Sequence, residues 1–175
     1  ACAGTLPVTV TGAVNPAVPG TYPLTYSAID PSGNPATAGR TVNVVDTTAP
    51  VISMLGARAV TVACGGGYAD AGATAADVCD GDISGSIVST STVNTTTPGS
   101  YTVTYNVSDP AANAAAPVVR TVDVVDTTAP VITMLGVSPV TVECDSAYTD
   151  DGATAVEVCD GDMTGLIERV NPVVT

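Results

Sequence analysis

Along Tyr101–Val107 apolar and polar residues alternate one for one: Tyr101, Val103, Tyr105 and Val107 stand against Thr102, Thr104 and Asn106. A period of two sends one set to a buried face and the other to solvent, which predicts a half-buried strand. The same reading predicts strands at Val51–Met54, Ala59–Ala63, Ile87–Val93 and Val118–Val125, with Gly65–Gly67, Asn94–Gly99 and Ser108–Ala115 as turns. Followed in order, the first strand runs down, the second up, the Ile87 strand down, the Tyr101 strand up and the last down. No segment carries the apolar period of a helix.

The pattern recurs. DTTAPVISMLG at Asp46–Gly56 returns 80 positions later as DTTAPVITMLG at Asp126–Gly136, changed only at Ser53 and Thr133. VTVAC ending at Cys64 returns as VTVEC ending at Cys144, and VCDGD at Val78–Asp82 returns at Val158–Asp162. Toward the N-terminus, GTYPLTY (Gly20–Tyr26), DPSGN (Asp30–Asn34) and RTVNVVD (Arg40–Asp46) match GSYTVTY (Gly99–Tyr105), DPAAN (Asp109–Asn113) and RTVDVVD (Arg120–Asp126). Self-similarity at a fixed period indicates a repeat array. The expected division is 1–45 as the second half of a repeat, 46–125 as a complete repeat and 126–175 as a first half. Half a sandwich exposes its core face, so each cut end requires more chain or a partner. Either the polypeptide continues, or identical subunits complete one another head to tail by strand complementation. Against the second, Cys159–Thr175 and Cys2–Pro16 cover the same strand. Between repeats, Asp-Thr-Thr-Ala-Pro leads directly into the next strand, and its Pro restricts the residue before it to extended geometry. Such junctions predict a semi-rigid array.

Composition narrows the class. Phe and Trp are absent and aromatics make up 3%, so six Tyr must supply the large core pieces. Thr and Val dominate, and β-branched residues suit pleated surfaces. The formal charge is −13, with Arg40, Arg58, Arg120 and Arg169 as the cations. That balance repels phosphate backbones and argues against nucleic acid as a partner. No apolar run approaches the roughly 18 residues of a membrane helix.

Four of the five cysteines recur as Cys64/Cys79 and Cys144/Cys159. Four cysteines allow three connectivities, and repeat logic favours pairing within each copy. Each bridge would close a short loop and contribute about 3 kcal/mol. Cys2 falls near the position of Cys79, leaving it unpaired within this stretch or bonded to another subunit. Zinc is the rival reading, but the chain has no His and no CxxC spacing. Structural disulfides imply an oxidising compartment.

The acids form the other constellation. The strand directions gather Asp46, Asp77, Asp80, Asp82 and Asp109 at the entrance of the complete repeat, together with the Cys64 end of the second strand. In the next copy the corresponding acids are Asp126, Glu157, Asp160 and Asp162, joined by Asp145. Hard oxygen ligands with few positive neighbours suit Ca²⁺, which takes six to eight of them. A site at the junction would stiffen the array. The plainer reading is that these carboxylates are solvated turn residues.

Catalysis finds little footing. Without His there is no Ser-His-Asp or Cys-His arrangement, and without Lys no Schiff base. Carboxylates that recur in every repeat fit an array better than an active site, so no enzymatic activity is expected. Tyr22 and Tyr101, each starting a strand, occupy the position of a tyrosine corner, whose hydroxyl bonds to backbone. Asn94 and Asn106 head formal glycosylation sequons. The Thr-rich strands Thr9–Thr11 and Ser89–Thr92 need no ice- or surface-binding role to explain them.

DTTAPVITMLG, VTVEC, YTDDGATA, DGDMTG, PGSYTVTYNVSDPAAN and RTVDVVD, in that order and spacing, resemble bacterial immunoglobulin-like repeats of the HYR and DUF5011 type. The likeness runs through all 175 residues. It implies an all-β fold of tandem immunoglobulin-like β-sandwich repeats and an extracellular or cell-surface setting. There, such modules serve as stalks, fibres, filaments or adhesin shafts. The cysteines at Cys64 and Cys79 depart from the commonest pattern. The leading expectation is a structural shaft whose partners are neighbouring repeats or identical subunits. The alternative is an adhesin-type module that recognises a glycan or protein through loops at one pole. The near-identical loops and few aromatics favour the shaft.

Overall fold

The computed structural model describes residues 5–170, and these form β-strands, turns and short 3-10 segments. Strands β1 (Thr9–Thr11), β2 (Gly20–Ile29) and β3 (Pro35–Val44) form an antiparallel meander in which Tyr22 faces Val42 and Tyr26 faces Ala38. The next stretch supplies β4 (Val51–Met54), β5 (Ala59–Ala63), β6 (Ala73–Asp77), β7 (Gly81–Asp82), β8 (Val88–Ser91), β9 (Gly99–Asn106) and β10 (Val118–Val125). These make two sheets, ordered β4-β6-β7 and β5-β10-β9-β8. Strands β11 (Val131–Met134), β12 (Ala153–Glu157) and β13 (Gly161–Asp162) form a sheet of the same order, each strand 80 positions after β4, β6 and β7. The all-β immunoglobulin-like class expected from the sequence is the one observed.

The chain divides into two compact units. One runs through Ser53 and takes Ala73–Val88 and Tyr105–Val118; the other takes Met54–Gly72, Ser89–Thr104 and the chain from Val119 onward. The first unit buries Ile52, Ala75, Tyr105, Val107 and Ala115, and the second buries Cys64, Val103, Val122, Val124 and Ala155. The alternating rows are thus the buried ones. In β10 the inward parity extends to Arg120, which is 1% exposed. Its Nη1 donates to Asp70 Oδ1 at 2.5 Å, and its Nη2 donates to the carbonyls of Leu55 and Gly72. Where the covering half is not part of this stretch, the same position stays open: Ile132 is 61% exposed against 9% for its counterpart Ile52.

Both tyrosine corners form. Tyr22 Oη donates to the Val18 carbonyl at 2.8 Å and Tyr101 Oη to that of Thr97 at 2.9 Å.

The strand course differs from the expected one at a decisive place. β5 pairs with β10 in parallel, Val60 opposite Val122 and Ala63 opposite Val125, so the second strand runs with the last strand and not against it. β4 belongs instead to the sheet of β6. Gly56, at φ 71°, turns the chain between them, a backbone conformation that glycine adopts without steric cost. Hydrogen bonds from Thr121 N to the Arg58 carbonyl and from Cys64 N to the Val125 carbonyl then dock β5 along β10. Cys64 therefore stands at the end of the repeat, beside the junction into the next copy. In the following copy the corresponding Val140–Val142 forms no strand, as befits a segment whose ladder partner in the complete repeat is β10.

Candidate functional site

Two features stand where the sequence places chemistry: a disulfide at the junction and an acidic cluster at the entrance of the complete repeat.

The bridge joins Cys64 to Cys159, with Cα atoms 6.0 Å apart and 95 residues between them in sequence. Cys79 and Cys144 are free thiols. This corrects the expected pairs Cys64–Cys79 and Cys144–Cys159. The reason is the direction of β5, which runs with β10 and delivers Cys64 to the Cys-Asp-Gly-Asp loop of the following copy. Pairing between copies respects the repeat as well as pairing within them, so periodicity alone could not separate the two. Gly65, at φ 73°, sits so close to Val158 that an added Cβ would collide with its side chain. The two loops carrying the bonded cysteines are packed as well as bonded. Cys2 lies outside the described residues.

Glu157 anchors the same junction. Its Oε1 accepts from the Thr128 hydroxyl and its Oε2 from the N–H groups of Cys159 and Asp160. The Thr128 hydrogen bond first, then the Cys159 N–H, hold its carboxyl down to about 2, against the opposing effect of burial. A carboxyl whose folded pKa is depressed adds stability above its ordinary value and loses it as pH falls through the folded one. The advantage of the parent over Glu157→Gln, read as Tm at successive pH values, is therefore expected to be full near pH 6 and to vanish toward about pH 2. A difference that stays constant across that range would contradict the assignment.

At the entrance of the complete repeat, Asp46, Asp77, Asp80 and Asp109 each bring a carboxylate oxygen within 4.8 Å of the others, and Cys79 Sγ lies equally close to Asp46 and Asp77. The junction residues position Asp46, the end of β6 positions Asp77, and the turn after β9 positions Asp109. Asn113 fixes Asp109 by donating its N–H to Oδ1 at 2.7 Å and its Nδ2 to Oδ2 at 2.8 Å. That turn holds although Ala112 takes φ 70°, where the N-terminal copy has Gly33. Crowding is visible in the titration. Burial first, then the charges of Asp77, Asp46 and Asp109, push the Asp80 carboxyl up, and burial followed by Asp46 pushes the Cys79 thiol up.

The other expected ligands are placed elsewhere. Asp82 and Asp162 cap the 3-10 segments Ser84–Ser86 and Thr164–Leu166, accepting from the N–H of Ser84 and Thr164 at 2.9 Å. Asp145 sits exposed in a turn at φ 62°. In the second copy the grouped atoms are those of Asp126, Glu157 and Cys159; Asp160 is not among them, and the Cys159 sulfur is already bonded. Sequence reasoning missed Arg120, although its parity with Val122 and Val124 carried the signal.

The chain is 40% identical over 127 residues to Hyalin of Strongylocentrotus purpuratus, which covers 63% of this chain and 10% of that protein. It is 36% identical over 121 residues to Hyalin of Lytechinus variegatus, covering 62% and 22%. The chain thus spans a minor part of the relatives it matches. Among solved structures it is similar to the lipoprotein BT2262 from Bacteroides thetaiotaomicron, at TM-score 0.41 and 21% identity, covering 61% of this chain and 54% of that one. It is also similar to a Clostridium perfringens ZmpB structure that holds a catalytic domain and two CBM51 domains, at TM-score 0.39 and 15% identity, covering 84% and 30%. The profile described as "Bacterial surface protein, Ig-like domain" matches residues 3–44 and 52–124. The chain belongs to the Ig-like domain family of bacterial surface proteins.

Proposed function

We propose that this chain is a non-enzymatic, extracellular segment of a stalk or fibre, in which tandem Ig-like modules carry force along a surface protein. One observation carries the reading: the Cys64–Cys159 bond runs from the end of β5, which lies along β10, to a loop of the next copy. A bond inside a module would protect only that module. A bond across the junction adds a second covalent link between successive modules and resists their separation. The short Asp-Thr-Thr-Ala-Pro junction supports the same role, because it leaves little slack between β10 and β11. Membership in a surface-protein family supports the setting. As partners, the reading requires only neighbouring repeats or identical subunits.

Pulling a single chain from its two ends tests this. With the bridge intact, the 95-residue span it closes cannot extend. Adding a reductant should release a further length on the order of 300 Å, at roughly 3.3–3.6 Å per residue. Equal extension before and after reduction would show that the bridge shields nothing and would remove the mechanical reading.

A further inference from the structure

Asp46 and Asp77 each commit one carboxylate oxygen to their own turn. Asp46 Oδ1 accepts from the Thr48 N–H at 3.0 Å and the Thr48 hydroxyl at 2.7 Å. Asp77 Oδ1 accepts from the N–H groups of Cys79 at 2.7 Å and Asp80 at 3.2 Å. The second oxygen of each, Asp46 Oδ2 and Asp77 Oδ2, is buried and accepts no hydrogen bond. Asp77 is 8% exposed and Asp109, on the same cluster, 6%. Removing a charged oxygen from water without a partner is costly, and each such group in a folded protein calls for an explanation. Arginine does not supply it: the ion pairs among the described residues join Arg120 to Asp70 and Arg169 to Asp150.

We propose that Asp46, Asp77, Asp80 and Asp109 bind a hard divalent cation of the calcium class, each through one carboxylate oxygen. The donors are all hard oxygens that lie within 4.8 Å of one another, close enough to share one ion, and hard oxygens are the ligands Ca²⁺ takes. The cation would satisfy both orphaned oxygens and relieve the repulsion among four acids drawn from three separate segments. It would thereby fix the junction residue Asp46 to the loop after β6 and the turn after β9.

In the second copy the counterpart of Asp109 falls outside the 175 residues, and the acid at the end of β12 is longer. Glu157 replaces Asp77 there, and its extra methylene lets Oε1 reach Thr128 while Oε2 caps the loop. Both oxygens are satisfied within the protein. Among the described residues four carboxylates are grouped in this way at Asp46, Asp77, Asp80 and Asp109, so one site is expected.

Calorimetric titration of the chelator-treated chain with CaCl₂ alone tests the proposal, and Tm with and without CaCl₂ provides a second readout. The expected result is one site per chain, with Kd on the order of 10⁻⁴–10⁻³ M as in extracellular modules, and a Tm raised by CaCl₂ and lowered again by EDTA. Asp77→Asn should weaken binding at least roughly tenfold, the factor that about 1.4 kcal/mol of lost ligand energy would give. Asp80→Asn, at an exposed position that the fold does not use, should do the same should Asp77→Asn not fold. Asp82→Asn should bind like the parent. Absence of heat and of any Tm change with CaCl₂, or parental affinity in Asp80→Asn, would overturn the proposal. Either outcome leaves the mechanical reading untouched, because that rests on the disulfide and is tested by extension under reductant.

Discussion

Replacing Cys64 by Ser is expected to lower Tm by roughly 10–20 °C, whereas replacing Cys79 or Cys144 by Ser should leave it nearly unchanged. The asymmetry follows from the observed pairing. Cys64 and Cys159 close a loop of 95 residues, and a loop near that length restricts the unfolded chain by on the order of 4–5 kcal/mol. For a chain of this size each kcal/mol shifts Tm by roughly 2–4 °C. Cys79 and Cys144 carry free thiols among the described residues, so their sulfurs contribute no such restriction. Cys159→Ser should match Cys64→Ser, and the double variant should cost no more than either single one. Pairing within copies would produce the opposite pattern, with Cys64→Ser and Cys79→Ser equally harmful.

Arg120→Ala should be the most damaging substitution outside the bridge, lowering stability by about 3–5 kcal/mol, as loss of one partner from a buried ion pair does. Arg120 is 1% exposed and joins three groups: the Asp70 carboxylate and the carbonyls of Leu55 and Gly72. Its guanidinium thus ties β10 to the chain on both sides of the loop between β4 and β6. Truncation removes a well-packed stem and leaves two carbonyls and a carboxylate short of a donor. Arg120→Lys should recover only part of the loss, because an ammonium group is a point charge and cannot present two separated donors in a fixed plane. Urea unfolding measures both. A midpoint for Arg120→Ala within error of the parent would show that water replaces the guanidinium without cost.

Much of the fold is legible in the residues, and the gaps have physical causes. Alternation located β9 and the full extent of β10, since Val103, Tyr105, Val122 and Val124 are large apolar residues on one parity and all end buried. The tyrosine corners followed from a Tyr at the start of a strand. β6 is not among the strands that alternation predicts. Ala73–Asp77 holds three alanines and one β-branched residue, which is a weak strand signal, and β6 exists because β4 and β7 flank it. The direction of β5 was misread for a different reason. Periodicity states which face a side chain takes, not which strand lies alongside, and Gly56 reads equally well as a hairpin turn or as a step from one sheet to another. That ambiguity places Cys64 at the wrong end, while the expected disulfides rest on repeat logic, which pairing between copies satisfies equally well.

The acidic cluster was partly legible. Asp46, Asp77, Asp80 and Asp109 converge because they sit at the junction, at the end of β6 and in the turn after β9, positions that the repeat motifs mark. Asp82 was expected beside them but turns away, because its carboxylate accepts from the Ser84 N–H and hydroxyl. At the acid that ends β6 and β12 the copies differ by one methylene, Asp77 against Glu157. Side-chain length at a single position decides whether an oxygen is satisfied, and no repeat pattern reports that.

Proteolysis of the folded chain under non-reducing conditions, followed by mass spectrometry of the linked peptides, tests the central claim most directly. The account predicts a fragment in which the peptide carrying Cys64 is bonded to the one carrying Cys159, with Cys79 and Cys144 recovered as free thiols. Fragments joining Cys64 to Cys79, or Cys144 to Cys159, would contradict it.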